Sequence, residues 1–178
     1  MYKIDVLLKQ DRKLFHTKDL ALLWRIDNLN TLYTTIKRYV QKGILTPIHK
    51  GFYATVPVDQ IDPMELGMGY LHQYAYVSTE SVLFDHGVIF QKSDYITLVG
   101  QISKKFMIGN SHYLVRKMAD VYLFQTTGIT ANMKGIRTAT LERAVADILY
   151  FNSHYHFDNR RAVDWLGVKK IQKEMNAI

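Results

Sequence analysis

Cysteine is absent from the 178 residues, which excludes a disulfide framework and thiolate metal ligation and is compatible with a reducing compartment. Only 3 Pro and 10 Gly interrupt a chain that is 48% hydrophobic, so a fold is expected throughout, with little disorder. No apolar run approaches the roughly 18 residues of a membrane span. The opening Met1-Tyr2-Lys3-Ile4-Asp5 is too polar and too soon charged for a secretory signal. A phosphate-cradling loop is also missing, because Gly67-Met68-Gly69 lies in a helical pattern without a third Gly or a following Lys-Ser. These absences predict a cytoplasmic protein with no membrane contact and no cofactor.

Charge is what the chain has. The net +7 is uneven: residues 1–56 hold ten Lys and Arg against four acids, or +6, and the remaining 122 hold thirteen against twelve, or +1. A positive field gathered at one end is the footprint expected for phosphate contact. Within that end, Leu29, Leu32, Ile36, Tyr39 and Val40 recur as one helical face, and Asn30, Thr31, Thr34, Lys37, Arg38 and Gln41 fall on the other. Gly43 closes this helix. Ile44-Leu45-Thr46 and Phe52-Tyr53-Ala54 then read as strands joined by His49-Lys50-Gly51. Upstream, Ile4, Leu7 and Leu8 predict a first helix, and Thr17 to Arg25 a second, capped by Thr17 and buried through Leu20, Leu23 and Trp24.

Helix, helix, turn, helix, hairpin is the order of a winged helix-turn-helix. The fold expected is therefore α+β, with an N-terminal winged helix-turn-helix over residues 1–56. A mixed α/β domain with a mainly antiparallel sheet and C-terminal helices is expected over 57–178. Asn30, Thr31 and Thr34 have the amide and hydroxyl groups that read base edges, and Tyr33 borders them. Lys37, Arg38, His49 and Lys50 are placed to reach phosphates.

In the second half, residues 64–74 read as a helix, and Ser78 or Thr79 as the cap of another ending near His86-Gly87. Residues 95–99, 105–108, 112–115 and 121–124 are β-branched or aromatic runs, with 133–137 as a further candidate strand. Thr140 caps an amphipathic helix through Tyr150, and two more helices follow at 159–166 and 168–175. His154, His156 and Asp158 alternate and on a strand would share one face toward a divalent ion. The preferred reading is a surface loop leading into a helix capped by Asp158, so no metal site is assigned. Glu142, Arg143 and Asp147 are spaced for an intrahelical ion pair or a salt bridge within the domain, not for acid-base work, and Ser78 and Ser81 lack a nucleophile's surroundings. No catalytic residue is assigned.

Three stretches carry a family pattern. The first runs from Thr17-Lys18-Asp19-Leu20-Ala21 through residues 32–45 to Lys50-Gly51-Phe52-Tyr53-Ala54. The second and third are residues 76–87, Tyr-Val-Ser-Thr-Glu-Ser-Val-Leu-Phe-Asp-His-Gly, and residues 140–147, Thr-Leu-Glu-Arg-Ala-Val-Ala-Asp. In this order they resemble the AbiEi-type antitoxins and their transcriptional-regulator relatives. The resemblance implies an antitoxin of an abortive-infection system that represses its own operon by binding double-stranded DNA at inverted repeats. It further implies a nucleotidyltransferase-like toxin as functional partner, countered without a stable complex, and a monomer or weak dimer that pairs on DNA. Two alternatives share the N-terminal features: a stand-alone regulator with a ligand-sensing second domain, and a metal-dependent nuclease using the His154 to Asp158 cluster.

Overall fold

In the computed structural model, which describes residues 3–175, the first unit, Met1–Tyr70, is built from short helices and a three-stranded sheet. Its elements are α1 (Lys3–Leu8), β1 (Leu14–His16), α2 (Thr17–Trp24), α3 (Leu29–Gln41), β2 (Thr46–His49), β3 (Phe52–Ala54) and α4 (Pro63–Leu71), with a 3-10 turn at Val58–Gln60. The core gathers Leu7, Phe15, Leu20, Trp24, Leu32, Ile36 and Leu45. Trp24 is fixed twice, by its indole N–H donating to the Lys3 carbonyl at 3.1 Å and by its ring meeting Tyr39 edge-on at 5.2 Å. Between α2 and α3, Arg25 takes a left-handed conformation (φ 52°), and the Asn28 side chain accepts from the Thr31 N–H at 3.0 Å, starting α3.

The hairpin differs from expectation in detail. Its first strand begins at Thr46, not Ile44, and β3 pairs on its other side with β1, an unforeseen strand, to give the order β1-β3-β2. Pro47 lies in the edge strand β2, and the register slips between it and His49. Thr17 is the first residue of α2 and not its cap; His16 holds the cap position, its N–H donating to Asp19 Oδ2 at 2.8 Å. The first unit also continues past Val56, where the sequence reading ended it. Tyr70 packs edge-on against His49 at 5.2 Å and Phe52 at 5.9 Å, and His16 Nε2 lies 2.7 Å from the Gly69 carbonyl oxygen.

The second unit, Leu71–Ile178, comprises β4 (Ala75–Val77), α5 (Glu80–Asp85), β5 (Tyr95–Gly100), β6 (Lys104–Ile108), β7 (Ser111–Lys117), α6 (Asp120–Leu123), β8 (Ile129–Ala131), β9 (Arg137–Ala139), α7 (Leu141–Phe151) and α8 (Trp165–Met175). Its sheet, in the order β6-β7-β5-β4-β9-β8, is mixed: the pairs β6/β7, β4/β5 and β8/β9 are antiparallel, and β5/β7 and β4/β9 are parallel. The chain leaves β5 for the edge strand β6 and returns by a hairpin into the gap, so β7 runs parallel to β5 over six residue pairs. Residues 121–124, expected as a strand, fall largely in α6, and the expected helix at 159–166 is a 3-10 turn at Arg160–Ala162 with α8 beginning at Trp165. Of the strand expected at 133–137, only Arg137 lies in β9; residues 133–136 form the turn between β8 and β9. Thr140 does cap α7, accepting from the Arg143 N–H at 3.3 Å.

Gly51 at the hairpin turn has φ +75°, and a Cβ there would lie 3.2 Å from Thr17 Oγ1. Gly51→Ala should therefore cost about 1–2 kcal/mol, the penalty of a left-handed L-residue. Urea unfolding would read it as a lower midpoint with an unchanged slope.

Candidate nucleic-acid interface

Helix α3 buries only Leu32, Thr35 and Ile36 fully, so most of its circumference is turned outward. Asn30, Thr31, Tyr33, Thr34, Lys37 and Arg38 are all exposed on that outward arc, and His49 and Lys50 are exposed at the hairpin turn. All eight residues singled out from sequence are thus at the surface, six on one helix and two at the end of β2. Leu29 breaks the expectation. It was assigned to the apolar face but is 61% exposed, because the whole first turn from Asn28 to Thr31 stands clear of the core.

Hydrogen bonds decide what this arc can offer. Thr34 Oγ1 donates to the Asn30 carbonyl at 2.8 Å, so its hydroxyl presents an acceptor outward. Thr31 Oγ1 is held by Asn28 Oδ1 at 3.3 Å. The turn that carries Lys50 is anchored to α2, since the Gly51 carbonyl accepts from the Thr17 N–H at 2.9 Å. The ring of Tyr70 against His49 props the adjoining strand end.

Extending the first unit to Tyr70 changes the charge balance. Asp59, Asp62 and Glu65 lower it to ten cations against seven acids, +3, and leave the second unit thirteen against nine, +4. The end-to-end asymmetry disappears; a local one remains. Residues 29–54, from the start of α3 to the end of the hairpin, contain Lys37, Arg38, Lys42 and Lys50 and no carboxylate.

The second unit contains a polar centre whose connections the sequence did not reveal. Arg143 and Asp147 on α7 have fully buried side chains and pair at 2.8 Å. All five guanidinium N–H groups are used: Nε on Asp147 Oδ1, Nη1 on the carbonyls of Gln125 (2.6 Å) and Thr127 (3.0 Å), and Nη2 on Tyr76 Oη (2.9 Å) and the Tyr122 carbonyl (3.1 Å). Ser78 caps no helix; its hydroxyl donates to Asp147 Oδ2 at 2.7 Å. Burial pushes the Asp147 carboxyl above the usual carboxylate range against the pull of Arg143 and Ser78. Burial also raises the Tyr76 phenol, with the Asp147 charge acting in the same direction. For Arg143 burial acts downward, but Asp147 and Tyr76 outweigh it and the net direction is up. With every donor matched and no exposed reacting group, this is a structural clasp. Its signal in the sequence is the charged i, i+4 pair of Arg143 and Asp147, separated by Ala144-Val145-Ala146.

His154, His156 and Asp158 lie in a loop and not on a strand. Among the described residues no group of three His, Cys, Asp or Glu is placed to hold a metal ion. Asp158 is not a cap but accepts the Phe90 N–H at 2.8 Å, and His156 Nε2 stands 3.7 Å from its other oxygen. These side chains line an open cleft of about 730 Å³ together with Glu80, Asp94, Tyr95 and Tyr155. At its Glu80 side, Arg116 pairs with Glu80, and the preceding residue, Thr79, has φ 54°.

No family model matches the chain, and no curated protein matches it either. Among solved structures, it is similar to the RV2827C protein from Mycobacterium tuberculosis, with a TM-score of 0.51 at 12% identity over 98% of this chain. The chain spans 65% of that protein. The likeness is one of fold. Among the described residues no helix is long and apolar enough to cross a membrane.

Asp147→Ala should cost about 3–5 kcal/mol, because it leaves the Arg143 guanidinium buried without its countercharge. A thermal melt would read the loss. Stability should also fall as pH rises above about 10, since the unfolded chain there releases the Tyr76 proton that the fold retains. Tyr76→Phe should lower stability at pH 8 by about 1–3 kcal/mol, through the unpaired Nη2 donor, yet make the decline above pH 10 shallower. Urea unfolding at a series of pH values measures both effects.

Proposed function

We propose that the first unit is a winged helix-turn-helix that binds double-stranded DNA, and that the chain is a cytoplasmic antitoxin of the AbiEi type that represses its own operon. The observation that carries the reading is the outward arc of α3, where amide, hydroxyl and cationic side chains stand together and no carboxylate occurs from residue 29 to 54. The succession of elements supports it. Helices α2 and α3 are joined by a short turn, and a hairpin with a third strand behind it follows directly, the arrangement in which the second helix of the pair enters the major groove. Lys37, Arg38, His49 and Lys50 take phosphates, and Asn30, Thr31, Tyr33 and Thr34 face base edges.

The antitoxin assignment rests on the three sequence stretches that resemble the AbiEi family. On that reading the partner is a nucleotidyltransferase-like toxin countered without a stable complex, and two copies meet on an inverted-repeat operator with half-sites about 10 bp apart or a multiple of it. The open cleft beside Glu80 and Tyr155 favours a second reading, a stand-alone regulator that senses a small ligand in its second unit.

Binding to the DNA upstream of the gene, measured across salt concentrations, tests the repressor. A preference over unrelated duplex is expected, and its absence at every salt concentration overturns the claim. Lys37→Ala should weaken binding and flatten the slope of log K against log salt by about one unit, as one fewer phosphate counterion is released. Co-expression with a neighbouring nucleotidyltransferase gene separates the two readings: restored growth supports the antitoxin, and persistent toxicity leaves the regulator.

A further inference from the structure

Two parallel rows run along the outward arc of α3, beside Thr31. Asn30, Thr34 and Arg38 form a polar row; Leu29, Tyr33 and Lys37, also four residues apart, form a row that is apolar for its first two members. Leu29 is 61% exposed and Tyr33 54%. On the same helix Leu32 and Ile36 are buried, so these two side chains are the exceptions. They also adjoin the polar row, in a carboxylate-free stretch with Lys37 and Arg38 one turn further on. Such a surround suits a polyanion that carries small apolar groups among its polar edges.

Resting on the DNA-binding reading above, we propose that Leu29 and Tyr33 contact the C5-methyl groups of thymine in the major groove and so set a preference for thymine at those positions. The methyl group is the one apolar feature that base pairs present in that groove. Amide and hydroxyl groups cannot read it, because uracil offers them the same O4 acceptor as thymine. Thr34, whose hydroxyl proton is committed to the Asn30 carbonyl, leaves an outward acceptor beside this row. Position agrees with chemistry. Base edges come nearest to the N-terminal turns of a recognition helix, where Leu29 and Tyr33 stand, and Lys37 follows where the helix leaves the bases for the backbone.

The test uses the full chain and the tightest-binding duplex recovered from a random-sequence pool, synthesised with thymine and again with deoxyuridine. The base-pairing edges are the same in the two duplexes; only the methyl groups differ. Fluorescence anisotropy should show the deoxyuridine duplex bound about fourfold more weakly for each methyl group contacted, the worth of one buried carbon. Leu29→Ala and Tyr33→Ala should each shrink that thymine-to-uracil ratio toward one while keeping the salt slope, with thermal melts verifying that both variants fold. Specific binding with equal affinity for the two duplexes overturns the inference and leaves the DNA-binding reading standing. A ratio that both variants retain, or a dimer in DNA-free solution that Leu29→Ala dissociates, also overturns it, the second outcome making the row a contact between copies. Recovery of no duplex above the unselected pool overturns the DNA-binding reading and this inference together.

Discussion

A helix that packs on a small core through a narrow stripe leaves the rest of its circumference free, and the first unit is governed by that constraint. Leu32 and Ile36 reach into the cluster around Leu7, Phe15, Leu20 and Trp24, with Thr35 buried beside them. Thr35 can be buried because its hydroxyl donates to the Thr31 carbonyl at 2.8 Å, so no polar atom is abandoned. The hold on α3 is therefore firm along one side, which Tyr39 and Val40 extend toward its end, and the residues of the opposite arc are released from packing. Asn28 at its start and Gly43 after its end fix its length independently of that line.

The second unit meets the opposite problem, a guanidinium taken wholly out of water. Desolvation of that kind is offset only when each N–H finds an acceptor in good geometry, and here α7, β4 and the segment from Tyr122 to Thr127 supply them. Three of the acceptors are backbone carbonyls of one segment. A strand there would have given those carbonyls to a neighbouring ladder; a short helix and turn leave them free for Arg143. The same demand reaches β4 and the residue that follows it, since Tyr76 and Ser78 point into the network from alternate positions of the chain.

Much of the first unit could be read from the sequence because its signals are local. The 3.6-residue period of α3, the left-handed glycines at 43 and 51, and the alternation of strand and turn after them act within a few residues of each other. What escaped depends on distant partners. Strands β1 and β4 are three residues long and exist by virtue of their neighbours in the sheet. The parallel pairing of β5 with β7 follows from where β6 lies, which no spacing encodes. The unit boundary moved to Tyr70 because aromatic contacts with His49 and Phe52 draw α4 into the first core. The exposure of the eight candidate residues is legible in the helical period and the turn signal, whereas the bare flank of Leu29 is not, since periodicity gives the angle of a residue about the helix axis but not whether anything lies opposite it.

Pro47 has a consequence for how copies of this molecule can meet. It stands in β2, a border strand of the three-stranded sheet, and proline has no backbone N–H to lend. With the register slip beside it, the rim lacks the unbroken row of donors and acceptors that another chain would need to zip on as a fourth strand. Growth of the sheet from molecule to molecule is disfavoured at that border.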